Sequence, residues 1–474
     1  MSDAIVVGAG PNGLAAAATL ASRGVEVTVL EAAATIGGGA RTSELTLPGL
    51  QHDDCSATHP FSPGSVALNA LGLERHGLEW AWPEVDLAHP FDDGSAAAML
   101  RSIDATASGL GSAGMAWKRL FGPGTEHFDA LSEDIMRPLL HLPRHPLRLA
   151  RFGLRALPPT AALARALPTP QARALFGGTA AHSFSPFSRP FSSAAGLALT
   201  CACHSNGWPV ARGGSQAIVN ALASVVREHG GRIETGRPVR SLDELPSVDA
   251  ILLDLAPAAI ADIAGERMPQ RIARAYRRYR HGPGAFKVDL AVEGGVPWTD
   301  EIVRRAGNVH AIGSFEEIVE SERQVNRGRM PERPFVLVGQ QYLADPSRSN
   351  GNVHPLWAYA HVPSCYTGDA TEAVLDQLER FAPGLRERIL ARHVRTPTDL
   401  VSYNPNYVGG DIITGANTPL QSVFRPRIAL DPYATGIPGV FICSAATPPG
   451  AGAHGMNGYN AAQSALRHLR RSAR

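Results

Sequence analysis

Three glycines spaced Gly8-x-Gly10-x-x-Gly13, with Glu31 further on, are the residues of this chain whose types and intervals suit one chemical task most directly. Backbone without Cβ atoms can turn tightly at Gly8, approach a pyrophosphate at Gly10 and pack helix on strand at Gly13, with Pro11 and Asn12 inside the same cradle. A carboxylate about twenty residues later accepts hydrogen bonds from a ribose diol and repels a 2′-phosphate. The elements that must hold these groups are legible around them. "AIVV" (4–7) is a short apolar strand, "LAAAATLASRG" (14–24) an Ala-rich helix with a glycine stop, and "VEVTVL" (25–30) an alternating strand that delivers Glu31. The helix start offers free N–H groups and a partial positive charge to phosphates. Strand, turn, helix, strand and acid in register predict a dinucleotide site rather than a plain βαβ unit.

A second glycine cluster, "IGGGARTSEL" (36–45), brings Gly38, Gly39, Arg41 and Thr42 soon after the ribose acid. It extends the pyrophosphate site and suits a longer, bent cofactor. "RGGSQAIVNALASVVREHGGRIETGRPVRSL" (212–242) reads as a glycine-led helix, a stop at Gly230 and Gly231, a strand and then Val239, and "VDAILLDLAP" (248–257) as a returning strand. "GVFICSAATPPGAGAHGMNGYNAAQSALRHL" (439–469) repeats the order of apolar strand, Gly/Pro-rich turn and helix; Gly450, Gly452, Gly455 and Gly458 would let backbone lie flat against a large planar ligand, and Ser444, Gly455, Met456 and Asn457 are the cofactor-binding candidates here. The plain alternative for this last stretch is a loop followed by a surface helix.

These segments resemble the phytoene dehydrogenase-related proteins, a carotenoid desaturase-like branch of the FAD-dependent amine oxidase superfamily. The resemblance spans most of the chain and rests on "GGGARTSELTLPGLQHDDCSATHP" (37–60), "GWPVARGGSQAI" (207–218), "YNPNYVGGD" (403–411) and "SAATPPGAGAHGMNGYNAA" (444–462). It implies FAD as cofactor, with the backbone of Val239 at the adenine. Three departures stand out. Ala40 separates the glycine pair from Arg41, Asn457 and Asn460 stand where many relatives have Cys and His, and Ser444–Ala445 replaces a usual Gly-Asp pair. The implied fold is α/β, with a Rossmann-type FAD-binding domain assembled from residues 1–74, 205–265 and 426–474. A second, mixed α+β substrate-binding domain would take 75–204 and 266–425.

Flavin accepts two electrons, usually as hydride at N5, so the protein need add only orientation, electrostatics and one proton handler. The chain has two lysines, Lys118 and Lys287, against 42 arginines. Lys287 sits in the strand-like "GPGAFKVDL" (282–290), and the resemblance implies a lysine reaching the flavin N5 through a water; the plain reading is a strand lysine snorkelling to solvent. A compact ammonium can shift its pKa when buried, whereas Arg holds its protons. His454 is either a second catalytic candidate beside the flavin or a helix-start residue bonded to backbone. Tyr403 and Tyr407 either line the substrate cavity or pack in a Pro/Gly turn.

Composition narrows the function. A net charge of +1 and no basic cluster interleaved with aromatics exclude a nucleic-acid face. Five cysteines without a CxxC predict a reducing, cytoplasmic setting and exclude disulfide-reductase chemistry. The motif begins within a few residues of Met1, leaving no room for a signal peptide, and no apolar run is long enough to span a bilayer. No metal site is expected: Pro143 interrupts His141 and His145, and "CACH" (201–204) lacks a second ligand cluster. No second G-x-G-x-x-G serves a nicotinamide, so the electron acceptor is expected to be dioxygen or a quinone. Residues 135–227 hold ten arginines and no acid, and "PLRLARFGLRAL" (146–157) puts Arg148, Arg151 and Arg155 on one helical face with leucines on another. That face suits peripheral contact with an anionic membrane; a solvated face over the core is the alternative. The leading expectation is an oxidoreductase that transfers hydride from a hydrophobic small molecule to FAD, desaturating a polyprenoid or another lipophilic natural product. Amine oxidation, a redox-neutral isomerisation on reduced FAD, and non-enzymatic binding of prenylated proteins in the manner of Rab GDP-dissociation inhibitors are the alternatives.

Overall fold

The computed structural model describes residues 2–138 and 140–472. Two sheets organise it, and the fold is α/β. A five-stranded parallel sheet runs in the order 440–442, 250–253, 3–7, 26–30, 232–234. Its central strand Asp3–Val7 pairs on one side with Ala250–Leu253 and on the other with Glu26–Leu30. Asp3–Val7 and Ala250–Leu253 are therefore neighbours although more than two hundred residues of chain separate them.

The first helix, Pro11–Ala21, is buried from Asn12 onward. Its run of alanines leaves room on every side, so the helices Gln216–Glu228 and Met456–Ser472 both pack against it. The last helix approaches closest: a Cβ on Gly458 would overlap the Asn12 carbonyl oxygen. Pro at the helix start costs nothing, because the N–H it removes has no intrahelical acceptor.

The second sheet has seven strands in the order 389–395, 284–293, 353–362, 336–339, 306–311, 85–90, 96–99. Only the 85–90 and 306–311 pair is parallel. Phe286, Val288, Leu290 and Val292 alternate into one buried core, as the period of a strand requires. The opposite face is covered too, by a core that includes Trp208, Trp357, Tyr359 and the small-residue helices Pro170–Ala181 and Ser193–Asn206. A strand buried on both faces leaves Lys287 no route to solvent, which removes the snorkelling alternative.

The arginine-bearing helix spans Pro146–Ala156, and only Ala156 of it is buried. Leu142, Leu147 and Leu154 are 93%, 76% and 72% exposed. The leucine face thus looks outward, not onto the core. No helix among the described residues is long and apolar enough to cross a membrane.

Candidate functional site

One cavity of about 880 Å³ is lined by residues of both sheets and by the segments 8–12, 38–41, 237–239, 403–407 and 449–454, with Ser444. At one end stand Glu31, Arg237 and Val239; Gly8, Gly10, Pro11, Asn12, Gly38, Gly39 and Arg41 follow; Ser444 and the 449–454 turn form a further wall. The other end is an apolar chamber lined by Trp208, Leu337, Trp357, Tyr359, Ile412 and Ile413, with His182 among them.

Local geometry explains the glycines. Gly8 has φ +102°, in the left-handed region, and a Cβ there or on Gly10 would press on Asp254. A Cβ on Gly13 would overlap the Gly8 carbonyl oxygen, so helix and strand could not meet as they do. Gly39 lies directly under the Tyr407 hydroxyl. Glu31 is fixed before any ligand arrives: Oε2 accepts the Ala9 N–H at 2.7 Å and Oε1 the Ala33 N–H at 2.8 Å. Arg41 approaches Glu31 Oε1 at 3.9 Å, lies over the Tyr403 ring and donates to the Thr35 carbonyl.

The residues present fit FAD. Arg41 Nε, Asn12 Oδ1 and Ser444 Oγ are buried along this wall without partners among the described residues, and such orphaned groups are what phosphates and ribityl or ribose hydroxyls satisfy. Ser444 therefore supplies a polar atom where the resemblance had led one to expect an acid. Tyr403 donates its hydroxyl to the Gly38 carbonyl at 2.7 Å and stacks near Tyr407; both line the cavity, and Tyr407 shares a core with the chamber residues Trp357 and Tyr359.

Several expected residues lie elsewhere. The Thr42 hydroxyl donates to Asp53 Oδ1 and accepts the Gln216 N–H, joining the loop to a helix start instead of lining the cavity. Gly455, Met456 and Asn457 also stand behind the wall. A Cβ on Gly455 would meet Ala15 of the first helix, Met456 packs with Ala67 and Met136, and Asn457 Nδ2 donates to the Thr447 carbonyl. Lys287 is 2% exposed and does not line the cavity. Its ammonium bonds both oxygens of Asp289, two residues along the same face, and His52 and His393 flank that carboxylate. Burial alone would raise the Asp289 carboxyl; the Lys287 charge, with His393 and His52, outweighs it and holds the group below its ordinary range. His454 does line the cavity, and its Nδ1 accepts the Met456 N–H at 3.2 Å. Burial lowers it to about 4, so the imidazole is neutral at physiological pH, with its proton on Nε2.

Sequence reasoning passed over Asp254, His182 and Arg425. Asp254 follows the returning strand, and its Oδ2 accepts the Gly13 N–H at 2.8 Å, capping the helix that faces the pyrophosphate. Burial raises it to about 7, against the Gly13 hydrogen bond and with help from the Glu31 charge. Below that pH it is neutral and does not repel phosphate oxygens. Its elevated pKa costs stability progressively as pH rises from about 4, where the unfolded carboxyl ionises, to about 7, and nothing further above. Asp254→Asn keeps the acceptor for Gly13 without the titration. Urea unfolding at pH 5 and pH 8 is expected to show the variant gaining on the native chain as pH rises; a gap independent of pH would refute this.

The model for the NAD(P)-binding Rossmann-like domain matches residues 6–69. Pyridine nucleotide-disulfide oxidoreductase domain-containing protein 2 of Rattus norvegicus is 22% identical over 557 aligned residues, covering 99% of this chain and 94% of its own. An oxidoreductase from Methanosarcina mazei superposes with a TM-score of 0.63 at 16% identity, over 98% of this chain and all of that one. Cyclohexylamine oxidase from Brevibacterium oxydans gives 0.58 at 16% identity, over the whole of both chains. The whole fold is shared with oxidoreductases. The matched segment supplies the Gly8–Gly13 turn, Glu31 and Gly38–Arg41 of the cavity wall; Arg237, Val239, Ser444 and the apolar chamber lie outside it.

Proposed function

We propose that this chain is an FAD-dependent oxidoreductase that oxidises a hydrophobic small molecule, with desaturation of a polyprenoid or another lipophilic natural product as the leading reaction. The observation that carries this reading is the continuity of the cavity from the Glu31–Gly8 cradle into an aromatic and aliphatic chamber. FAD, when bound, supplies the two-electron acceptor for a substrate C–H bond. Glu31 would hold the ribose, the Gly8–Gly13 turn and Gly38–Arg41 the pyrophosphate, and Val239 the adenine side. Trp208, Trp357, Leu337 and the isoleucines exclude water from the reacting carbon. His454 offers an Nε2–H at the 449–454 turn, held in that tautomer by the Met456 N–H.

The electrostatics weigh against an amine substrate. Among the described residues that line the cavity, the carboxylates are Glu31 and Asp254, both at the dinucleotide cradle. An ammonium in the apolar chamber would find no counter-charge. Anaerobic titration of the loaded protein with polyenes, alcohols and amines tests the reading: bleaching of the flavin bands by apolar non-amines supports it, with dioxygen or a quinone then restoring the colour. Failure to take up FAD, or bleaching by amines alone, would overturn it.

A lipophilic substrate needs a route from membrane to cavity, and the Pro146–Ala156 helix supports one. Phe152 on this helix lines the cavity, while Leu147 and Leu154 face outward beside Arg148 and Arg151. The protein is expected to sediment with phosphatidylglycerol vesicles at low salt and to be released at high salt. Equal sedimentation with phosphatidylcholine vesicles at both salts would argue against peripheral docking.

A further inference from the structure

Arg425 is 5% exposed, lines the cavity, and lies within ion-pair distance of no carboxylate among the described residues. Its Nη2 donates to Asn417 Oδ1 at 2.8 Å and its Nε makes a long contact with the Gln421 carbonyl at 3.4 Å. Nη1 has no partner among the described residues and faces Gly450, where the lack of a side chain, at φ +114°, keeps the cavity open in front of it. Asn417 in turn donates to the Ser183 carbonyl at 2.9 Å, which ties the guanidinium to the His182 side of the chamber. Asp411, in the stretch that also carries Asn417, is already engaged: its oxygens accept the N–H groups of Gly282, Ile413 and Gly415, and His281 stands 3.6 Å away. A buried guanidinium that meets only neutral acceptors is costly unless an anion completes it.

We propose that Arg425 is the substrate's anchor and that the chamber takes an apolar molecule carrying a carboxylate, an inference that rests on the oxidoreductase reading above. Arg presents a planar fork that matches carboxylate geometry, and an apolar surround strengthens the pairing. The same guanidinium could instead serve an anionic oxygen of the cofactor, so the test must separate the two sources. Decanoate, decanol and decylamine are titrated into FAD-loaded protein by calorimetry. Decanoate is expected to bind about 10- to 100-fold more tightly than decanol, the range of a charge-assisted hydrogen-bonded pair, with decylamine weakest. Arg425→Gln should abolish the decanoate preference while decanol affinity and the FAD-to-protein ratio stay unchanged; Arg425→Lys, the fallback should the Gln variant not fold, should keep part of the preference. Decanoate binding no tighter than decanol to the native protein would overturn the proposal. So would an Arg425→Gln protein that loses FAD yet keeps the decanoate preference, since the guanidinium would then belong to the cofactor. If the native protein takes up no FAD, the oxidoreductase reading fails on its own, and the decanoate comparison on the same protein still decides the role of Arg425.

Discussion

Lys287→Met is expected to destabilise the folded chain by about 3–5 kcal/mol, the usual consequence of leaving a buried charge without its partner. Asp289 has no exposure to water, and its strong cation is Lys287; His52 and His393 stand 3.6 and 3.8 Å away. With a typical total stability of roughly 5–15 kcal/mol, that loss is a large fraction of the whole. Because the folded carboxyl is depressed, the stabilisation is present above the unfolded carboxyl pKa and is lost as pH falls through the still lower folded value. Native and variant proteins should therefore differ most near neutrality and converge in acid. The double variant Lys287→Met/Asp289→Leu removes both charges and should recover most of the loss, since an apolar pair of similar volume replaces an ion pair at little net expense. Urea unfolding measures all three proteins. A single variant within about 0.5 kcal/mol of the native chain would mean that the ion pair contributes little, a value ordinary for exposed pairs but not for this one. The double variant also addresses flavin chemistry: Lys287 does not line the cavity, so its reoxidation by dioxygen should match that of the native protein. Slowed reoxidation would return the lysine to the flavin.

Gly13→Ala is expected to cost at least about a hundredfold in FAD affinity, together with about 1–3 kcal/mol of stability from overpacking. The added methyl would overlap the Gly8 carbonyl oxygen and press on the Asp254 side chain at 3.2 Å. Gly8 cannot yield easily, because its own φ of +102° already holds the tight turn. Relief must come from moving the helix start, and the same start carries the N–H groups that meet the pyrophosphate. Gly153→Ala is the control: it adds a methyl where nothing lies within 4 Å, inside an exposed helix, and should leave FAD content unchanged. The FAD-to-protein absorbance ratio and fluorescence titration of the apoprotein read both. Native-like FAD affinity in Gly13→Ala would remove the turn from the cofactor site.

Gly8, Gly10, Gly13 and Glu31 were legible because the spacing that produces their geometry is local, within one strand, turn and helix. Val239 and Ser444 were reached through a resemblance, and both line the cavity. What the sequence hid was direction and distant company. The alternation around Lys287 assigned it a face, the one on which its cross-strand partner Tyr359 and Trp357 reach the cavity, but not that Asp289 two residues on would hold its ammonium. Thr42 belongs to a glycine-rich loop of the expected kind, yet Asp53 and Gln216 claim its hydroxyl from elsewhere in the chain. Asp254 touches Gly13 across 241 residues, and nothing in a polar residue after an apolar strand announces such a contact. Arg425 is one arginine among 42; only its burial without a carboxylate sets it apart.

The parallel sheet has a consequence for how the protein is made. Its strand order interleaves residues from the two ends of the chain, with 440–442 beside 250–253 and 250–253 beside 3–7. The last helix, Met456–Ser472, lies on the first. A ribosome-bound chain stopped near residue 430 would own every glycine of the nucleotide turn and still lack one edge of the sheet, the 444–454 wall and the helix that clamps the first one. Flavin binding is thereby expected only once residues 440–472 are made, and until then the apolar Ala-rich helix lacks the last helix that covers it.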